Sequence, residues 1–180
     1  MKTIALIGVG NILFKDDGFG VYAAKYLETN YCFNPPIDII DGGTLGINLV
    51  QYFLSYERVI LLDTLSMDDA PGTIYNLPSD VLIGLGNTRK TVHEVEVTQM
   101  LELGEMSGQM GKVSIVGIIP EDIISIEIGL SRCVQEALLP FVKAVLVDLQ
   151  QYGVQVSAQE TPRKIEMIIE DYRNPSHRDL

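Results

Sequence analysis

The chain alternates two kinds of hydrophobic pattern. Short apolar runs occur at Ile4-Ala5-Leu6-Ile7, Ile37 to Ile40 and Val59-Ile60-Leu61-Leu62, and Lys112 to Ile119 is a further mostly apolar run, stopped by Pro120. A strand covered on both faces needs apolar residues at successive positions, so these runs predict interior strands of a parallel sheet. Between them, apolar residues recur every three or four positions over 17–31, 45–54, 92–106 and 131–152, which predicts helices. Pro71-Gly72 predicts a turn, and Thr73-Ile74-Tyr75 after it an antiparallel edge strand. Ile165, Ile168, Ile169 and Tyr172 make a last amphipathic stripe, with Thr161 and Pro162 as its expected cap and first helical residue. Strands alternating with helices imply an α/β fold of three layers, α/β/α. Its twisted, mostly parallel sheet should hold about five strands, one of them an antiparallel edge.

Composition narrows the function. A chain of 180 residues with 47% hydrophobic and 21% charged residues is long enough for one complete core, which excludes disorder. Lys and Arg total 13 against 24 Asp and Glu, a net charge of -11. That sign opposes nucleic acid and anionic membrane surfaces, and favours a cation or a basic peptide segment. Cys32 and Cys133 form no CxxC pair and are expected as small buried hydrophobes. The apolar stretch Ile4 to Val9 is too short for a signal-peptide core, and no run reaches the ~18 residues of a membrane span. A soluble, cytoplasmic protein is expected.

Ligands of open α/β sheets bind beyond the carboxyl ends of the strands, so the residues there carry the chemistry. The first strand is followed by Gly8-Val9-Gly10-Asn11 and then Asp16-Asp17-Gly18, the second by Asp41-Gly42-Gly43, the third by Asp63, and His93 opens a later helix. Several carboxylates gathered on one rim repel each other unless a cation compensates or one keeps a proton. Two carboxylates and an imidazole form an incomplete set with open positions, suited to a borderline divalent ion such as nickel or zinc.

Each residue has a plainer reading. A strand-terminal Asp such as Asp41 often only caps a turn, and one of Asp16 and Asp17 is expected as a cap or first-turn residue of the next helix. His93 alone would be a structural histidine, and His177 lies in a polar tail. The first loop begins like a dinucleotide fingerprint, but Leu13 holds the place of the third glycine and two acids follow closely. A non-catalytic metal- or nucleotide-binding module is the alternative to an enzyme. No serine or cysteine nucleophile motif is readable.

The segment Gly8 to Gly20, GVGNILFKDDGFG, closely resembles the opening motif of the nickel–iron hydrogenase maturation endopeptidases. The resemblance continues in order through Asp41-Gly42-Gly43-Thr44, Leu61-Leu62-Asp63, Ala70-Pro71-Gly72-Thr73, His93, Val116 to Glu121 and Ile128 to Ser131. It covers residues 1–153, taken as the protease domain of phosphorylase/hydrolase-like fold, and leaves 154–180 as an extension packed on it. The resemblance implies an endopeptidase that removes the C-terminal peptide from the nickel-loaded precursor of a NiFe hydrogenase large subunit. It implies Asp17, Asp63 and His93 as the residues that meet nickel carried by the substrate, with zinc or cadmium able to replace it in vitro. Asp16 and Asp41 match acids near the site. The hydrolytic step stays open between a metal-polarised group and a carboxylate base, Asp41 or Asp16. Although the family is grouped with aspartic proteases, no aspartic dyad motif is visible.

Two departures stand out. Asp17 fills a position where the resemblance allows Glu or Asp, and Glu96 falls where a glycine is usual after the histidine. No interface signal is present, so a monomer is expected.

Overall fold

The computed structural model describes residues 2–84 and 92–175, with the backbone alone at residues 2, 82–84 and 92–96. In chain order the elements are β1 (Lys2–Val9), α1 (Phe19–Asn30), β2 (Tyr31–Asn34), β3 (Asp38–Gly43), α2 (Val50–Ser55), β4 (Tyr56–Thr64), β5 (Ile74–Pro78) and α3 (Ser79–Gly84). They continue with α4 (Val92–Met106), β6 (Lys112–Ile118), α5 (Arg132–Glu136), α6 (Leu138–Gln151), β7 (Gln155–Ala158) and α7 (Ile165–Arg173). Short 3-10 turns at Lys15–Gly18 and Gly46–Leu49 precede α1 and α2.

Five strands form one sheet in the order β3-β1-β4-β6-β5, parallel except for β5, which runs antiparallel to β6 at the edge. The four apolar runs are its parallel strands, because both faces are covered. Ile4, Leu6, Ile60, Leu62, Val116 and Ile118 pack with Phe19, Tyr22, Phe141 and Val145 on one face. Ala5, Ile7, Val59, Leu61, Val113 and Ile115 pack with Leu49, Phe53, Met100 and Leu101 on the other.

Three expectations are corrected. The long helix over 131–152 is two helices, α5 and α6, meeting at Ala137. Pro140 explains the break: it has no N–H for the carbonyl of Glu136, and its ring crowds that carbonyl. The last helix starts at Ile165 behind Lys164, not at Thr161-Pro162. Asn30 competes for that segment, accepting from the Arg163 N–H at 2.7 Å and donating to the Arg163 carbonyl at 3.0 Å, and Lys164 is extended. Finally, Cys32 is exposed and only Cys133 is half-buried. Cys32 lies on β2, which pairs with β7 in a separate two-stranded antiparallel ribbon outside the main sheet.

Residues after Val154 therefore return to the main body. Val154, Ile165, Ile168 and Ile169 join the α1 face of the core. Among the described residues no helix is long and apolar enough to cross a membrane.

Candidate functional site

The chain enters the sheet at β1, moves to β3 on one side, then crosses back to β4 on the other. The helices of these two crossovers cover opposite faces: Phe19 and Tyr22 of α1 belong to one core, Phe53 of α2 to the other. A crevice must open where the direction reverses, beyond the carboxyl ends of β1 and β4. Asp17 follows the first strand and Asp63 ends the other, so the topology delivers both to that crevice.

Local sterics bring them closer. A side chain on Gly20 would place its Cβ 2.1 Å from the Leu62 carbonyl oxygen and 2.3 Å from that of Val9. The glycine lets the start of α1 rest directly on the ends of β4 and β1. Gly10, with φ of 131°, turns the chain sharply after β1, and its N–H donates to the Gly43 carbonyl at 3.0 Å. The first loop is thereby tied to the end of β3.

Asp17 is 5% exposed and Asp63 2%. Asp17 Oδ2 accepts the Asn11 N–H at 2.9 Å, and Asp63 Oδ1 accepts the Thr64 N–H at 2.8 Å. Neither Asp16 nor Asp17 caps α1 through its side chain, since both lie in the preceding 3-10 turn and Gly18 stands at the cap. Asp41 is exposed at the end of β3, beside β1 and two strands from Asp63, about 10 Å of sheet.

Asp16 is used differently from its neighbour. It is wholly buried, with Oδ2 accepting the N–H groups of Glu121 and Asp122, both at 3.0 Å, and Oδ1 that of Ser131 at 2.6 Å. The carboxylate thus closes a loop, residues 120–131, against the first loop. Lys15 adds to the clamp from a left-handed backbone, φ 46°, with its amine 3.4 Å from Asp122 and 3.5 Å from Glu127. The hydrogen bond that the Lys15 amine donates to Asp122 pushes its pKa up. The Ser125 hydroxyl and the N–H groups of Ser125 and Ile124 hold the Asp122 carboxyl well below the usual carboxylate range. Only one local signal of this clamp is readable from the residues alone. An Asp with Ile-Ser two and three residues later is the pattern of a carboxylate bonding its own downstream N–H groups.

His93 falls on α4 by its backbone, but its side chain and that of Glu96 lie outside the described residues, as does His177 entirely. Helix α4 packs on the 3-10 turn that follows β3. Among the described residues no cluster of three or more His, Cys, Asp or Glu side chains is assembled to hold a metal. The arrangement therefore offers two buried carboxylates at the carboxyl ends of β1 and β4, an exposed third acid, and a fourth committed to the backbone.

Comparison with known proteins gives a consistent set of relatives. The hydrogenase maturation protease family model matches residues 21–148. The hydrogenase 2 maturation protease of Escherichia coli K12 is 31% identical over 159 residues, covering 87% of this chain and 96% of its own. The solved structure of the hydrogenase maturating endopeptidase HybD from E. coli superposes with a TM-score of 0.80 at 30% identity, covering 87% and 98%. A [NiFe] hydrogenase maturation protease from Thermococcus kodakarensis, 19% identical, shares the fold with a TM-score of 0.64 over 81% and 97% of the two chains.

Proposed function

Because the chain belongs to the hydrogenase maturation protease family and is thus an endopeptidase of hydrogenase maturation, we propose that it cuts the C-terminal peptide from the nickel-loaded precursor of a NiFe hydrogenase large subunit. The observation that carries the reading is the pair Asp17 and Asp63, almost wholly buried at the carboxyl ends of β1 and β4, between which the sheet order reverses.

The nickel is cargo of the precursor. Carboxylate oxygens and an imidazole suit a borderline divalent ion and leave positions for thiolates of the substrate. Asp17 and Asp63, with His93, hold that cargo and so orient the adjacent peptide bond; zinc or cadmium would serve as stand-ins in vitro. Requiring the metal for binding leaves unloaded precursor uncut. Asp16 has its oxygens engaged by three backbone N–H groups, so it positions the loops. Asp41 is exposed and keeps room to take a proton from an attacking water as general base, in the manner of an acid-dependent peptidase. The protein acts as a cytoplasmic monomer in this reading.

A cleavage assay on nickel-loaded precursor tests it. Asp17→Asn, Asp63→Asn and His93→Ala should melt near wild type and lose cleavage, and Asp41→Asn should lower kcat about 100-fold. Reagents directed at thiols or serines should have no effect. Full activity in the first three variants would remove the reading, and an intact precursor after wild-type treatment would favour a binding module.

A further inference from the structure

The loop 120–131 contains no helix or strand, yet it is held at many points. Besides the three N–H groups bound by Asp16, Asp16 N donates to the Asp122 carbonyl and Lys15 N to that of Glu127. Glu127 N donates to the Leu13 carbonyl, and Arg173 Nε to that of Ile128. The Asp122 carboxylate closes the tip by accepting from Ile124 N, Ser125 N and Ser125 Oγ. On this frame Ile124 is 84% and Ile126 83% exposed. Leu13, bonded through its carbonyl to the residue after Ile126, is exposed as well.

Exposed apolar side chains on a well-fixed loop mark a contact surface, because the ordering cost of binding has been met within the fold. We propose that Leu13, Ile124 and Ile126 dock an aliphatic segment of the large-subunit precursor that flanks its scissile bond. This rests on the protease reading. Continuity selects the occupant: Leu13 lies in the same loop as Asp17, four residues away, so a chain seated on the isoleucines is carried into the crevice. Charge shapes it further. Glu121 and Glu127 are exposed beside the isoleucines, and the protein carries a net charge of -11, so basic residues beside the aliphatic ones complement the surface.

The test uses the full chain, the double variant Ile124→Ser/Ile126→Ser, and Leu139→Ser as an exposed apolar control on α6. Affinity for nickel-loaded precursor is read by interferometry, KM and kcat by cleavage, and self-association by sedimentation. The double variant should raise Kd and KM at least about tenfold, leave kcat within about twofold, and melt like wild type. The control should change none of these. Unchanged affinity in the double variant overturns the docking surface. Wild-type self-association abolished by the double variant also overturns it, assigning the patch to a second copy. If wild type binds but does not cut, and the double variant loses binding, the docking surface stands and the protease reading falls. If wild type cuts and the double variant cuts with the same KM, docking alone falls. Wild type that neither binds nor cuts overturns both.

Discussion

Two segments outside the main sheet are fastened to it by opposite means. The loop 120–131 is pinned by polar contacts, with one buried carboxylate serving three backbone donors. Helix α7, Ile165–Arg173, is fastened chiefly by apolar packing, with Ile165, Ile168 and Ile169 pressed into the α1 face of the core. Hydrogen bonds are directional, and leaving buried partners unmade is costly, so they fix position closely. Apolar burial is non-directional and contributes chiefly stability. The polar fastening lies beside the candidate site, and the apolar one on the face packed against α1. Precision is placed where chemistry needs it.

Substitutions can break this contrast. The largest effect is expected from Asp16→Ala, which strands three backbone N–H groups, that of Ser131 buried and those of Glu121 and Asp122 partly so. Stability should fall by roughly 3–6 kcal/mol and the melting temperature by roughly 10–20 °C. Cleavage should be lost even at temperatures where the variant stays folded, because loop 120–131 no longer holds its place; retained kcat in the folded variant would erase the distinction. Ile168→Ala should cost about 2–4 kcal/mol by leaving a cavity under α7. Thermal melts should show that loss while kcat measured on the folded fraction stays near wild type.

The smallest effect is a pH dependence. Asp122 has its carboxyl held below the usual range by Ser125 and Ile124, so its folded value lies under its unfolded one of about 3.9. Its contribution is complete above that pH and is lost only as pH falls through the depressed value. Amide protection at Ile124 and Ser125, followed by NMR, should hold from neutrality through about pH 4 and be lost only well below it, as the pH approaches the depressed value. Collapse near pH 6 would show that the tip is not fastened through this carboxylate.

Much of this architecture is legible in the sequence, for identifiable reasons. The parallel strands announce themselves because burial on both faces demands continuous apolar runs. That Asp17, Asp41 and Asp63 lie at or just beyond strand ends is legible because each follows or closes an apolar run, and strand ends of an α/β sheet are where ligands go. The separate functions of Asp16 and Asp17 are not legible, since two adjacent residues of the same type differ only in what the fold places beside them. Nor is the β2–β7 ribbon. Tyr31-Cys32-Phe33-Asn34 is four residues long and follows α1 without a break, and its partner lies far along the chain. Pro140 did carry a local signal for the break between α5 and α6, which the surrounding helical periodicity masks.

That ribbon has a consequence for the order of events during synthesis. Tyr31–Asn34 pairs with Gln155–Ala158, so β2 leaves the ribosome with its partner roughly 120 residues behind. At about 5–20 residues per second, the wait is about 6–24 s. β1, β3 and β4, and later β6, can pair as they emerge, whereas the edge of β2 stays bare until the final fifth of the chain arrives. The ribbon is a late closure, made only once the main sheet has its strands.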